Sequence, residues 1–128
     1  MILADTSVWI EFFRGRQPYF KHLSFLLHHN EVVTLEPIFA ELIQGALSKG
    51  EVKMIKDYYD SLEKAYQEEL LLKAAIESSK NKWTQKGIGL VDSTVLLTAI
   101  QTKAPVWTLD KNLLKELPSS LRHDPHLA

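Results

Sequence analysis

Cysteine is absent from all 128 residues. Disulfides and thiolate-bound zinc are therefore excluded, and a reducing, cytoplasmic setting is expected. No apolar run approaches the roughly 18 residues that suggest a membrane span, so no membrane association is expected. Met1-Ile2-Leu3-Ala4-Asp5 reads as a strand that begins at once, so a signal peptide is not expected either. An excess of one charge is missing too: 15 Lys+Arg stand against 16 Asp+Glu, a formal −1. That argues against holding nucleic acid by bulk charge, while leaving a local site open. There is no internal repeat, low-complexity tract or Pro/Gly/Ser-rich linker. A hydrophobic share of 45% with 24% charged residues then gives an ordinary folded chain and not a disordered one. Its length fits one domain spanning 1–128.

The elements follow from patterning. Ile2-Leu3-Ala4 is a short apolar strand ending at Asp5. Ser7 to Arg14 reads as a helix before the breaker Gly15, and Pro18 opens a second helix. Val32-Val33-Thr34-Leu35 is a β-branched strand. Pro37 suits the first turn of a helix whose Phe39, Leu42, Ile43, Ala46 and Leu47 form one apolar stripe ending near Gly50. Val52, Ile55, Tyr59 and Leu62 mark another helix, Leu62 to Tyr66 a short third strand, and Glu68 to about Lys82 a further helix. After Gly87-Ile88-Gly89, Asp92-Ser93 can cap a helix that buries Val95, Leu96, Ala99 and Ile100. Val106-Trp107-Thr108-Leu109 is a strand ending at Asp110, and 118–128 is a polar tail expected to fray. Strands separated by helices imply parallel pairing in an α/β sandwich, and the wholly apolar Ile2-Leu3 and Val32-Val33 fit strands covered on both faces.

Four acids fall where such a sheet gathers its chemistry, beyond the carboxyl ends of its strands. Asp5 follows the first strand and Asp110 the last. Glu41 lies one turn into the helix after the second strand, and Asp92 starts a helix after a glycine turn. Glu41 and Asp92 each interrupt an apolar run, so each must find a partner or favour its protonated form. Taken singly, each acid has a plainer role: Asp5 and Asp92 as helix caps, Asp110 in a turn, Glu41 in a salt bridge. Taken together, several carboxylates without His or Cys make a hard-oxygen site suited to one or two Mg²⁺ or Mn²⁺ ions. Thr6, Ser7, Ser93 and Thr108 supply hydroxyls able to orient those carboxylates.

Asp5-Thr6-Ser7, Phe39-Ala40-Glu41-Leu42, Gly89-Leu90-Val91-Asp92 and Thr108-Leu109-Asp110, in that order, resemble the motifs of PIN-domain ribonucleases. The size most resembles the VapC toxins of bacterial toxin–antitoxin pairs, and the resemblance runs from Met1 to about Leu117. It implies a three-layer α/β/α sandwich around a mostly parallel sheet of four or five strands. It also implies an Mg²⁺- or Mn²⁺-dependent endoribonuclease in which Asp5, Glu41, Asp92 and Asp110 hold the metal and act in catalysis. Thr6 or Ser7 and Thr108 match the family's auxiliary hydroxyls. The implied partners are an RNA substrate, a second copy in a homodimer and a small antitoxin whose basic tail enters the acidic site. The departure is after Leu117, where Pro118 and Pro125 flank a poor candidate for a fifth strand.

Other groups have both a structural and a binding reading. Trp9, Phe12, Phe13, Tyr19 and Phe20 are core aromatics or anchors of a partner groove. Arg14 and Arg16 are a solvated helix end or RNA phosphate contacts. Lys80, Lys82 and Lys86 near Trp83 form a surface helix face or a stacking platform for a base, with Lys82 and Lys86 as RNA contacts. His28-His29 and the pair His123/His126 lack metal-ligand spacing and read as surface residues. Two other functions compete. A phosphoacceptor receiver domain would need an acid pair after the first strand, where only Asp5 stands. A silent interaction module would not need all four acids. A non-toxin or DNA-cutting nuclease with the same site is a further alternative.

Overall fold

A computed structural model describes residues 1–125; His126, Leu127 and Ala128 lie outside the described residues, and with them the surface reading of His126. The chain runs β1 (Ile2–Ala4), α1 (Thr6–Phe13), α2 (Tyr19–His28), β2 (Val32–Thr34), α3 (Glu36–Gln44), α4 (Lys49–Ser61), β3 (Glu63–Lys64), α5 (Leu70–Asn81), α6 (Leu90–Thr102), β4 (Val106–Trp107) and α7 (Lys111–Glu116). Short 3₁₀ turns occupy Trp83–Lys86 and Ser119–Leu121. The four strands form one wholly parallel sheet in the order β3-β2-β1-β4, covered by helices as a three-layer α/β/α sandwich. Among the described residues no helix is long and apolar enough to cross a membrane.

The strand order places the site. From β1 the chain builds outward through β2 to β3, then returns to pair β4 on the other side of β1. The crevice between β1 and β4 is therefore where the winding reverses, the position at which open parallel sheets present their ligand-binding ends. Ala4 is opposite Trp107 in the register, so Asp5 and Thr108 leave the sheet side by side. The strands can be short because both faces are covered: Leu3, Ala4, Val32, Val33, Val106 and Trp107 are all buried.

Several expectations are corrected. Gly89, not Asp92 or Ser93, caps α6, which starts at Leu90 and carries Asp92 in its first turn. This helix is buried continuously from Ser93 to Ala99, while Ile100 is exposed, so it has no single apolar stripe. Its hydroxyls are satisfied locally, with Ser93 donating to the Gly89 carbonyl, Thr94 to Val91 and Thr102 to Thr98. Trp83 is a core residue at the joint between α5 and α6 and not a stacking platform, while Lys80, Lys82 and Lys86 lie on the surface.

The tail does not fray at Pro118. Leu121 is buried, Arg122 bridges Val106 in parallel, and the His123 N–H donates to the Val106 carbonyl at 2.8 Å. A single bridge on the outer edge of β4 is thus the remnant of a fifth strand. Trp9 and Phe12 settle the aromatic cluster as core, packed edge-to-face at 5.5 Å, while Phe20 stacks on Phe12 from an exposed position. Leu96→Ala, in the middle of α6, is expected to cost about 3 kcal/mol in urea unfolding, with the denaturant slope unchanged.

Candidate active site

Asp5 caps α1: its Oδ1 accepts the Val8 N–H at 3.3 Å and the Ser7 hydroxyl. Its Oδ2 accepts the Thr108 hydroxyl from the end of β4. The two hydroxyls are themselves held, because Ser7 Oγ accepts the Leu109 N–H at 3.0 Å and Thr108 Oγ1 accepts the Asp110 N–H at 3.0 Å. This closed network crosses the β1–β4 crevice between residues about one hundred positions apart. Asp5 is only 2% exposed. Burial raises its pKa, and the hydroxyl and backbone donors work in the opposite direction.

Asp92 stands on the neighbouring element. Its pKa is pushed up to about 6, chiefly by burial and further by the negative fields of Asp5, Asp110 and Glu41. Asp92 thus feels the charge of each of the other three predicted acids. Asp110, expected in a turn or as a ligand, is a helix cap. Its Oδ1 caps α7, accepting the Asn112 and Leu113 N–H groups at 2.8 and 3.1 Å.

Glu41 differs from the sequence expectation. It is exposed, as is Ala40, while Leu42 is buried. The apolar run around it wraps the helix instead of burying the charge. Glu41 borders two grooves. One, about 950 Å³, runs between α3 and α5 and includes Tyr66, Leu71, Leu72 and Val91. The other, about 420 Å³, lies between α1, α3 and α4 and includes Thr6, Phe13, Arg14 and Met54.

The remaining predicted residues separate. Ser7 and Thr108 are on Asp5, as described. Ser93 is turned to the α6 backbone and away from this network. Thr6 lines the smaller groove, with its Oγ1 buried and unpartnered. Arg14 lines that groove too and shares Glu11 with Arg16, at 3.8 and 3.2 Å. Lys86 pairs with Glu116 at 3.1 Å, and Lys82 adopts a left-handed backbone at the end of α5; neither borders the grooves that hold Glu41.

A family model for the PIN domain matches residues 2–118. The chain belongs to the PIN-domain family. Solved structures resemble this PIN domain along nearly its whole length. One is VapBC2 from Rickettsia felis bound to a DNA fragment from its promoter: TM-score 0.69, 22% identity, covering 95% of this chain and 96% of that one. Another is VapBC-1 from nontypeable Haemophilus influenzae: TM-score 0.65, 19% identity, covering 90% and 91%. FitAcB from Neisseria gonorrhoeae matches at TM-score 0.57 and 21% identity, again over 90% and 91%. Among curated proteins none matches the sequence.

The chemistry of the predicted donors is that of a hard divalent cation's ligands: all are carboxylates, and Asp5, Asp110 and Glu41 each raise the pKa of Asp92. Among the described residues no three such groups stand where together they could hold a metal ion.

The raised Asp92 pKa has a consequence for stability. The folded chain holds this proton up to about pH 6, while the unfolded chain releases it near 3.8. The unfolded state binds fewer protons in that window, so the Asp92 contribution falls as pH rises through it. In metal-free buffer, Asp92→Asn is expected to match the wild type near pH 4. At pH 7.5 it should be more stable by about 1 kcal/mol, a figure discounted for the partial exposure of the carboxylate. Urea unfolding at the two pH values measures the difference.

Proposed function

We propose that this PIN domain is an Mg²⁺- or Mn²⁺-dependent endoribonuclease of the toxin type, neutralised by a small antitoxin. The observation that supports the reading is the like-charge influence of Asp5, Asp110 and Glu41 on Asp92, with Asp5 itself at the end of β1 beside β4. Asp5, Glu41, Asp92 and Asp110 would hold the cation. When bound, the ion supplies Lewis-acid stabilisation of the phosphodiester as charge builds during hydrolysis.

The side chains have separable parts in this scheme. Ser7 and Thr108 fix both oxygens of Asp5, so that carboxylate is oriented before any ligand arrives. Burial and the neighbouring acids raise the Asp92 pKa to about 6 in the absence of a cation, so binding one would displace its proton. Glu41 would approach the cation from the solvent-exposed border of the two grooves. Arg14 on the adjoining groove offers a phosphate contact, which Arg16 can share through Glu11. Lys82 and Lys86 are weaker candidates for RNA contact, and Ser93 for an auxiliary role, because of where their side chains stand.

An antitoxin partner is supported by the VapBC complexes among the similar structures. Its basic tail would be drawn by the same acids that repel RNA phosphate. Homodimer formation and a cytoplasmic location complete the proposal, the first favoured by exposed Tyr66, Leu71 and Leu72 beside the larger groove.

A panel of RNAs incubated with Mg²⁺ or Mn²⁺ tests the reading. Cleavage by the wild type is expected, stopped by EDTA and lowered about 100-fold or more by Asp5→Asn or Asp92→Asn. Asp57→Asn, on the exposed side of α4, should leave the rate unchanged. Cleavage that persists undiminished in both site variants would overturn the assignment.

A further inference from the structure

His22 on α2 and His123 in the C-terminal segment lie 101 positions apart, with their Nε2 atoms 2.9 Å from each other. The ring centroids are 5.2 Å apart and the planes only 18° from parallel. The nitrogens are thus much closer than the ring centres, so the imidazoles meet tip to tip and not face to face. One Nε2–H donates and the other Nε2 accepts, in either tautomeric order. Trp107 of β4 packs against both, 4.8 Å from the His22 ring and 5.6 Å from the His123 ring.

This pair sits where the tail joins the sheet. Arg122 bridges Val106, the His123 N–H donates to the Val106 carbonyl, and Arg122 Nε donates to the Leu117 carbonyl at 3.0 Å. Between Pro118 and Pro125 the segment has little strand propensity of its own. The imidazole pair joins this segment to α2 by a side-chain hydrogen bond.

We propose that the His22–His123 pair is a proton-sensitive clasp, which holds the C-terminal segment against β4 while at least one imidazole is neutral and releases it when both are protonated. A neutral imidazole has one donor and one acceptor, whereas imidazolium has two donors and no acceptor. The pair tolerates one added proton, shared between the nitrogens. A second proton sets N–H against N–H and brings two like charges into contact. The groups facing the pair are few. Trp107 brings no charge from β4, and Asp124 in the segment itself favours the protonated form of His123. Burial acts the other way on both rings and is the larger influence on each. In the released segment an imidazole regains its ordinary affinity, so acidification below about pH 6.5 favours release. Release bares the outer edge of β4, the strand whose next residue, Thr108, holds Asp5.

Amide hydrogen exchange of the full chain reads the clasp at the His123 N–H. After correction for the intrinsic pH dependence of exchange, wild-type protection should fall at least about tenfold between pH 7.5 and 5.0. His22→Gln should keep its protection at both pH values, because the amide side chain donates and accepts whatever the state of His123. His123→Gln should behave in the same way from the other side. Equal wild-type protection at the two pH values, or the same loss in both Gln variants, would overturn the proposal. Ring ¹⁵N titration of the wild type decides independently of any variant. A second proton taken up only together with loss of the His123 amide protection supports the clasp, and two rings titrating independently near pH 6.5 refute it.

Discussion

Hydroxyls from both sides of the β1–β4 crevice meet on the Asp5 carboxylate, and the geometry of the site rests on that meeting. Burial opposes the charge on Asp5, and the donors that offset it come from α1 and from the end of β4. Those donors are in reach only if β1 pairs with β4 in parallel, with Ala4 opposite Trp107. The sheet topology is therefore a precondition of the site and not simply a frame around it. The Leu109 and Asp110 N–H groups extend the same network into the turn before α7, which Asp110 then caps. One carboxylate thus ties the first element of the chain to its last strand and helix.

Around that fixed point the other acids are arranged against stability. Asp92 is half-buried and feels three like charges, a disposition that folding alone would not favour. Its place in the first turn of α6 returns part of the cost through the positive end of the helix. The chain carries 15 Lys+Arg against 16 Asp+Glu; with the four site acids set aside, 15 face 12, a net +3. On the proposed site, a formal charge near zero conceals a mildly basic body around an acidic mouth. Without a cation such a mouth repels phosphate; a bound divalent ion reverses that preference locally.

Much of this was legible in the sequence, for physical reasons that differ by element. β1 and β2 were readable because strands buried on both faces must be continuously apolar. Glu63–Lys64 emerged as the third strand despite its polar residues, since it sits at the sheet edge with both residues exposed. α6 was misread at its start because Asp92 looks like a cap when only local chemistry is weighed. Its true cap, Gly89, contributes no side chain to recognise. α7 carries little sequence signal, being six residues long and marked chiefly by its cap Asp110, which reads equally well as a turn residue or a ligand. The apolar neighbours of Glu41 suggested burial, but helix periodicity turns that residue outward. His22 and His123 carried no sequence signal, since each is paired with a residue about a hundred positions away. The Asp5 hydroxyl network is equally non-local, although Ser7 and Thr108 were legible as members once the family motifs were set side by side.

Direct Mn²⁺ binding, followed by electron paramagnetic resonance without any nucleic acid, asks whether the four acids act as one site. The account predicts saturable binding by the wild type that weakens sharply in each of Asp5→Asn, Glu41→Gln, Asp92→Asn and Asp110→Asn. Binding that is absent in the wild type, or that survives unchanged in all four folded variants, would contradict it.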